Sequence, residues 1–389
     1  MNSVYGSKFL RELLKLSEEE LNKTFRKTYG LHYEQNANLF SRLYAELKRY
    51  LNTGSVNLDA TFNTFFHKLY RKMFQVINIQ YSFDEKYLHC IDRLMDVIKP
   101  FGDMPNKLTT EMKLAFFATR TFSQSLSIGR SIVENIAEIG PSAECSRSIM
   151  QMTYCAHCQG LANLKPCANY CLNVMRKCLL NHRELDSEWN DYVEAILLLT
   201  NRLETSFNIE SVVNPLAIRI SEAIMDFQEN SSLISQRLFV SCGKPRIGKR
   251  QPKARLTSLE QYKFVRTQVR PATAAGTNID RLMQEVKRKI KFSKGFWRNL
   301  PQTLCLRNQV SGEIVRELAK ECWNGTDKVR EESSNIAAGI ERSVFESSVE
   351  LGMQNAIISQ QIAQLRIITS KLSKAYNGEM EEQKEDRGM

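Results

Sequence analysis

Apolar residues recur every three or four positions along most of the chain, which is the spacing of one face of an α-helix. Leu39, Leu43, Leu47 and Leu51 form one such stripe, which stops before Gly54. Strand-like alternation is nearly absent, so the pattern predicts an all-α protein. Further helical stripes occupy residues 57–80, 84–98, 109–138 and 358–377.

Local signals predict where some of these elements begin and end. Ser17 with Glu20 has the spacing of a capping box that would start a helix, and Gly30 is a typical helix stop. The stretch RLFVSC at 237–242 is the one place where the alternation favours a short strand. No run approaches the roughly 18 apolar residues of a membrane-spanning helix.

Charge is concentrated in one part of the chain. Residues 244–298 carry sixteen Lys and Arg against three acidic residues, whereas the whole chain has a net charge of +11. Pro245, Gly248 and Pro252 break any helix here, so 243–277 is predicted to be a long basic loop. The segment 244–298 would suit a polyanion by Coulomb attraction. Nucleic acid is not expected, because few aromatic side chains are interleaved for base stacking.

No catalytic site is predicted. Gly243 to Arg250 matches the start of a phosphate-binding loop, but Arg250 stands where magnesium binding needs Ser or Thr. Pro252 follows two residues later and no helix start comes after it, so no helix N-terminus is available to hold a phosphate. The five histidines form no hydrolase or metal-binding array. We therefore expect no enzyme, no cofactor and no catalytic residue.

Half of the ten cysteines lie in the stretch CAHCQGLANLKPCANYCLNVMRKC at 155–178. Cys167, Cys171 and Cys178 share one face of a predicted helix, and the outer two lie about 16 Å apart along its axis. A disulfide needs Cα atoms within about 7 Å, so those two cannot pair with each other. Each of the three helix cysteines would therefore need a partner from another part of the chain. The candidates are Cys90, Cys145, Cys242, Cys305 and Cys322.

Two other chemistries fit the same cysteines. A zinc knuckle at 155–171 could use Cys155, Cys158, Cys167 and Cys171, since C-x2-C is good zinc-ligand spacing. The protein would then be an intracellular helical adaptor that binds acidic partners. Reduced core cysteines are the third alternative, and the spacing leaves all three open.

The same stretch resembles the glypican signature, C-x2-C-x-G-L-x4-P-C-x2-Y-C-x2-V-x3-C, with Lys177 replacing a family glycine. The matching residues are Cys155, Cys158, Gly160, Leu161, Pro166, Cys167, Tyr170, Cys171, Val174 and Cys178. Flanking blocks of the chain are similar to glypicans too, most of all to the branch that includes Dally-like. Examples are YAELKRY at 44–50, SVNLDA at 55–60, KPFGD at 99–103, CWNG at 322–325 and KAYNG at 374–378.

The resemblance implies an elongated, single-domain bundle of α-helices stapled by disulfides, with one long basic loop. It implies a heparan sulfate proteoglycan core at the cell surface, held by a GPI anchor in its full-length form and sometimes shed into the matrix. Such a core is expected to act as co-receptor for Wnt, Hedgehog, FGF and BMP. The Dally-like branch also suggests a lipid-accommodating cleft, for which the apolar helices at 57–80 and 109–138 are candidates.

The resemblance also implies a pairing of the cysteines. The pairs are Cys90–Cys242, Cys145–Cys178, Cys167–Cys322 and Cys171–Cys305. Family members join the remaining two to an N-terminal cysteine cluster that this chain lacks. Cys155 and Cys158 are therefore expected to be free thiols, or to pair with each other.

The resemblance implies a glypican core at 1–378 that is truncated at its N-terminus, with a Cys-rich signature segment at 142–182. Residues 379–389 are expected to form a disordered acidic tail. The signal peptide, the Ser-Gly repeats and the GPI tail are not seen in the sequence. Candidate modification sites are the sequons at Asn22, Asn230 and Asn324, a weak glycosaminoglycan site at Ser311, and convertase sites at Arg250 and Arg255.

Overall fold

A computed structural model of the chain describes residues 3–248, 278–307, 321–330 and 349–380. It confirms the all-α class, because helices make up nearly all of the regular structure in these ranges. The helices are α1 (Ser3–Glu34), α2 (Ala37–Thr53), α3 (Leu58–Ile77), α4 (Glu85–Ile98), α5 (Met104–Ala137), α6 (Ala143–Cys158), α7 (Ala168–Cys178), α8 (Leu185–Glu204), α9 (Ile209–Val213), α10 (Leu216–Glu229), α11 (Ser231–Cys242), α12 (Asn278–Lys291), α13 (Phe296–Gln302) and α14 (Val349–Asn377).

Short strands accompany the helices. β1 (Tyr81–Ser82) pairs antiparallel with β2 (Arg246–Ile247), and β3 (Glu321–Trp323) pairs antiparallel with β4 (Lys328–Arg330). A 3₁₀ turn at Asn181–Glu184 leads into α8, and a π-helical turn covers Thr303–Arg307. No helix in the described part of the chain is both long enough and apolar enough to cross a membrane.

The chain is divided into two compact units. The first comprises Met1–Gln124, Leu199–Gln284 and Lys374–Met389, and the second comprises Ser125–Leu198 and Glu285–Ser373. The chain passes from one unit to the other within α5, α8, α12 and α14.

A continuous series of aromatic rings fills the core of the first unit. Phe25 of α1 packs on Phe40 of α2, with ring centroids 5.2 Å apart, and Phe40 packs on Phe65 of α3 at 5.6 Å. The series continues through Phe66 to Phe101 at 5.5 Å. Most of these pairs are edge-on or tilted, which the ring quadrupoles favour. These rings are almost completely buried, so they fix how α1, α2 and α3 pack.

Several helix ends follow the sequence signals. Gly54 ends α2 in the left-handed conformation, with φ of 73°, which a glycine adopts without steric strain. Asp84 caps α4 by accepting a hydrogen bond from the backbone N–H of Tyr87 at 2.8 Å. The helix predicted before Gly378 ends at Asn377. Each of these signals acts over a few residues, so the sequence alone suffices to find it.

Two local predictions were wrong. Ser17 does not cap a helix, because it lies in the middle of α1 and its hydroxyl is used in tertiary hydrogen bonds. The stretch 237–242 is not a strand but the last half of α11. The predicted stop at Gly30 interrupts the helical geometry with φ of 52°, yet the chain resumes helix up to Glu34.

Ser17 joins three parts of the first unit. Its hydroxyl donates to the carbonyl of Val213 in α9 at 3.0 Å and lies 2.8 Å from the Tyr44 hydroxyl of α2. Burial raises the pKa of Tyr44 well above its ordinary value, with the Ser17 contact opposing part of that rise. The Tyr44 hydroxyl is thus a neutral, fully buried group that depends on Ser17 for its partner.

We predict that Ser17→Ala lowers the free energy of unfolding by about 1–3 kcal/mol, because two buried polar groups lose their partner. Urea unfolding followed by circular dichroism measures this. Ser41→Ala is the matched control, since the exposed Ser41 hydroxyl bonds only within α2, to the carbonyl of Ala37. Equal stability losses in the two variants would show that the Ser17 contacts contribute nothing specific.

Candidate functional site

Helix α7 is the centre of the cysteine-rich segment and is cross-linked at both ends. Its N-cap is Cys167, which is bonded to Cys322 with Cα atoms 4.9 Å apart. One turn later the buried Cys171 is bonded to Cys305 at 5.9 Å. The last residue, Cys178, is bonded to Cys145 of α6 at 5.3 Å. One short helix is therefore tied to three separate segments of the second unit.

Noncovalent contacts hold the β3–β4 hairpin against the start of α7. The backbone N–H of Cys167 donates to the carbonyl of Trp323 at 2.8 Å, and Trp323 N–H donates to the carbonyl of Lys165 at 2.9 Å. The Trp323 side chain is fully buried and its indole N–H donates to the carbonyl of Gln151 in α6. The hairpin thus closes over α6 and α7 with its tryptophan inward.

The tip of this hairpin needs a glycine. Gly325 has φ of 109°, and a Cβ atom there would come within 2.9 Å of the Tyr170 ring of α7. Both conditions exclude a larger residue without movement of the hairpin or of Tyr170. The CWNG block of the sequence, residues 322–325, therefore combines a disulfide, a buried indole and a close approach to α7.

A fourth disulfide, Cys90–Cys242, joins α4 to the end of α11 in the first unit, with Cα atoms 6.0 Å apart. Shortly after Cys242, β2 pairs with β1, the strand that precedes α4. The backbone N–H of Gly248 then donates to the carbonyl of Gln80 at 3.0 Å. The four disulfides join the pairs that the glypican resemblance implied. The first residues of the basic loop are therefore anchored to α4 and to the start of β1.

Cys155 and Cys158 are free thiols, which is the first of the two expected alternatives. Both belong to the last turn of α6, where Cys155 is half-buried and Cys158 exposed. Burial raises the pKa of the neighbouring Tyr170, and Cys155 adds to this rise.

The zinc knuckle at 155–171 is not formed. Two of its four ligands, Cys167 and Cys171, have their sulfur atoms in disulfides and cannot bind zinc as thiolates. The described residues contain no group of three or more side chains that could hold a metal ion. The intracellular adaptor built on that knuckle loses its structural basis.

The candidate modification sites differ in accessibility. Asn230, at the junction of α10 and α11, and Asn324, in the β3–β4 turn, are exposed. Asn22 is half-buried within α1, and its side-chain carbonyl accepts a hydrogen bond from the Tyr33 hydroxyl. Asn22 is thus the least accessible of the three sequons. Arg250, Arg255 and Ser311 lie outside the described residues, as do most of the basic loop and residues 381–389.

An apolar cavity of about 90 Å³ lies among α1, α2, α3 and α10 of the first unit. The predicted cleft helices contribute only in part, because 57–80 lines the cavity and 109–138 does not. Sequence reasoning missed the α1 wall, although Phe25, Tyr29 and Tyr33 repeat at the four-residue spacing of a helix face. The lining residues are Phe25, Tyr29, His32, Tyr33, Asn36, Leu39, Phe40, Leu69, Lys72, Met73, Val76, Ile77, Ile224 and Gln228.

One wall of this cavity is fixed by a polar contact. The Tyr29 hydroxyl lies 2.7 Å from the Ser221 hydroxyl of α10, and burial raises the pKa of Tyr29 despite this contact. Tyr29 therefore stays neutral and presents its ring to the cavity. Lys72 is exposed, and His32, Asn36 and Gln228 supply the other polar groups of the lining. Apolar side chains thus dominate the cavity walls, and Lys72 and His32 are the polar lining residues that are exposed.

Comparison with known proteins decides the family. A family model of glypicans matches residues 5–388. The chain belongs to the glypican family. Glypican-1 of Xenopus tropicalis is 34% identical to it over 372 residues, which cover 95% of this chain and 66%, about two thirds, of the frog protein.

Solved glypican structures share the fold. The core domain of the Drosophila Dally-like protein superposes with a TM-score of 0.71 and 34% identity, covering 97% of this chain and 88% of the Dally-like chain. A second structure, Dally-like protein in complex with O-palmitoleoyl serine, gives a TM-score of 0.69 at 34% identity, covering 97% of this glypican and 81% of that chain.

We predict that Cys155 and Cys158 are the only cysteines alkylated when the folded 389-residue chain is treated without reductant. Peptide mapping by mass spectrometry measures the labelled positions. The other eight sulfur atoms are protected because they are in disulfides. A cross-link from Cys155 or Cys158 to Cys90, Cys145 or Cys305 would contradict both this prediction and the observed pairing.

Proposed function

We propose that this glypican is the core protein of a cell-surface heparan sulfate proteoglycan and acts without enzymatic activity. The glypican match over residues 5–388 is the observation that carries this proposal. Four disulfides support it, because such bonds persist in the oxidising conditions outside the cell. The core would be held by a GPI anchor, or shed, and would carry heparan sulfate as a covalent modification.

Its partners, in this proposal, are secreted signalling proteins of the Wnt, Hedgehog, FGF and BMP classes and their receptors. The sugar chains would attract basic regions of these ligands, and the helical core would contact the ligand or receptor directly. A co-receptor of this kind works by raising the local concentration of the ligand at the membrane. The basic segment 244–298 is a further proposed contact for polyanions.

We predict that heparan lyase converts the natural full-length protein, made in animal cells, from a heterogeneous high-mass species to a discrete core band. Gel electrophoresis of the immunoprecipitated protein measures this. A phospholipase that cleaves GPI anchors should release the protein from intact cells. Ser311→Ala serves as a site variant, which loses the lyase-sensitive mass only if Ser311 carries a chain. A full-length protein whose mobility is unchanged by the lyase would overturn the proteoglycan proposal.

We further propose that the apolar cavity of the first unit accepts the acyl chain of a lipid-modified signalling protein. The support is the cavity itself, together with the similarity to Dally-like protein, whose structure contains O-palmitoleoyl serine. The aromatic and aliphatic walls would shield an acyl chain from water, at about 0.8 kcal/mol for each buried CH₂ group. The exposed Lys72 and His32 of the lining would face the ester.

The cavity must widen for this to happen. Its volume of about 90 Å³ is smaller than the roughly 150 Å³ that admits a benzene molecule to an engineered protein core. An acyl chain is larger than benzene, so the helices that line the cavity have to move apart as it enters. Met73, Val76 and Ile77 of α3 are only half-buried, so this helix edge is the wall with the least packing to lose.

We predict that Val76→Trp weakens binding of a fluorescent O-palmitoleoyl serine probe about tenfold or more, because the indole occupies part of the cavity. Fluorescence polarisation with the whole chain measures the dissociation constant. Val97→Trp is the matched control, since Val97 of α4 is 77% exposed and does not line the cavity. Equal effects of the two substitutions would place the acyl chain elsewhere.

A further inference from the structure

An open groove with a volume of about 410 Å³ lies along α2 and α3 on the first unit. The two helices are joined by four residues, 54–57, which makes them an antiparallel pair. Arg49 is close to this connection, whereas Arg42 and Lys68 are further from it. The groove is lined by Leu39, Arg42, Leu43, Glu46, Arg49, Ser55, Val56, Asn57, Ala60, Thr61, Thr64, Phe65 and Lys68.

Positive charge dominates the groove. Arg42, Arg49 and Lys68 are exposed cations, and Glu46 is the one acidic residue among the lining side chains. The Glu46 carboxylate pairs with Arg49 at 2.7 Å. Arg42 and Lys68 have no ion pair within the described ranges. The groove therefore keeps a surplus of two positive charges, and both belong to side chains that an incoming anion can reach.

The cations are spaced along the groove. Arg42 and Arg49 are seven residues apart on α2, which corresponds to about 10 Å along the helix. A ligand that contacts both must be extended and must carry more than one anionic group. Arg120 adds positive charge at the end near the connection, where its guanidinium donates to the carbonyl of Thr53 at 2.9 Å.

Neutral hydrogen-bonding groups occupy the space between the cations. Ser55, Asn57 and Thr64 are exposed and Thr61 is half-buried. The Asn57 side-chain oxygen accepts from Ala60 N–H at 3.0 Å, so its NH₂ group is directed elsewhere. The floor is apolar, formed by the buried Leu43, Val56 and Phe65. Hydroxyl and amide groups over an apolar floor suit sugar rings, which offer hydroxyls at their edges and C–H groups on their faces.

We propose that this groove binds a short segment of a linear sulfated polysaccharide. Sulfate groups would contact Arg42 and Lys68 at one end and Arg49 at the other, with sugar hydroxyls on the Ser, Asn and Thr side chains between them. The disulfides assign the chain to oxidising surroundings, which is where sulfated polysaccharides occur. The inference goes beyond the proposed function, because it concerns recognition by the folded core and not the attachment of a chain.

Other polyanions fit the groove less well. An extended acidic peptide gains affinity by pairing with a free strand edge, whereas α2 and α3 present helices whose backbone groups are already bonded. Single-stranded nucleic acid needs exposed aromatic rings for base stacking, and the one aromatic residue in this lining, Phe65, is 3% exposed.

The test uses the whole 389-residue chain, produced in cells that cannot make glycosaminoglycans, and a fluorescent heparin-derived octasaccharide. We expect Arg42→Gln with Lys68→Gln to weaken binding about tenfold, since two exposed charge contacts are lost. The dependence of the binding constant on salt should also become shallower, because fewer counterions are released. The matched control is Lys86→Gln with Lys107→Gln, which removes the same charge from exposed positions outside the groove.

Glu46→Gln is expected to strengthen binding, which a misfolded variant would not do. It removes the one acid of the groove lining and frees Arg49, so binding should strengthen about twofold to fivefold. Protein made in cells that do synthesise glycosaminoglycans shows whether the groove binds a chain attached to the same protein or a chain from another molecule. Octasaccharide binding that appears only after lyase digestion indicates a chain attached to the same protein, whereas binding before digestion indicates a chain from another molecule.

Three results would overturn the proposal. The control variant could weaken binding as much as the groove variant, which would make net charge the cause. A desulfated octasaccharide could bind as tightly as the sulfated one. An acidic peptide or single-stranded DNA of equal charge could bind as tightly and with the same sensitivity to the Arg42 and Lys68 substitutions, which would show a general polyanion surface.

Discussion

The disulfides of α7 are the constraint on which the second unit depends. Cys167 and Cys171 are bonded to residues 155 and 134 positions further along the chain. Cross-links that close such long loops remove much of the freedom of the unfolded chain, with typical stabilisation of about 2–4 kcal/mol each. The segments at 303–307 and 321–330 are short, and an isolated two-stranded hairpin is barely stable in water. Their position is fixed because covalent bonds join them to α7.

Packing and covalent bonds support each other at this point. Cys171 and Cys305 lie in a buried cluster with Met152, Leu172 and Val174, so the disulfide is surrounded by apolar side chains. Trp323 is adjacent to Cys322 and fills the space between α6 and the hairpin. The Cys171–Cys305 disulfide is therefore shielded from reductants in solution, whereas the thiols of Cys155 and Cys158 at the end of α6 are partly or fully exposed. Cys158 is the one exposed cysteine of the ten, whereas Cys155 is half-buried, as are the bonded Cys90, Cys178 and Cys242.

Sequence patterns predicted the features that are encoded locally. The end of α2 at Gly54 and the start of the predicted helix at 84 each depend on a residue whose preference acts within one helical turn. The capping signal at Ser17 failed because its hydroxyl has partners 27 and 196 residues away, Tyr44 and Val213, which no local pattern contains. The predicted strand at 237–242 failed because α11 buries few side chains, Ile234, Ser235 and Leu238, while Val240 is 86% exposed. An exposed apolar residue close to a buried one, as in Leu238 and Val240, gave the short stretch a pattern that resembles a strand.

The groove and the cavity were less accessible to sequence reasoning, because each combines residues from different helices. Helix α3 shows why. It contributes Thr61, Thr64 and Lys68 to the groove, Leu69, Met73 and Val76 to the cavity, and Phe62, Phe66 and Tyr70 to the core. A hydrophobic stripe reveals the core face but cannot separate a cavity wall from ordinary packing, since both need apolar side chains. From the sequence, the polar face of α3 is indistinguishable from an ordinary solvent-exposed helix face. Only the structure shows that Arg42 and Arg49 of α2 lie beside it. The spacing of a helix directs the groove residues away from the other two sets, whereas the cavity and core residues share one broad face and differ in their position along the axis. Substitutions at Thr61, Thr64 or Lys68 can therefore alter the groove without changing the cavity.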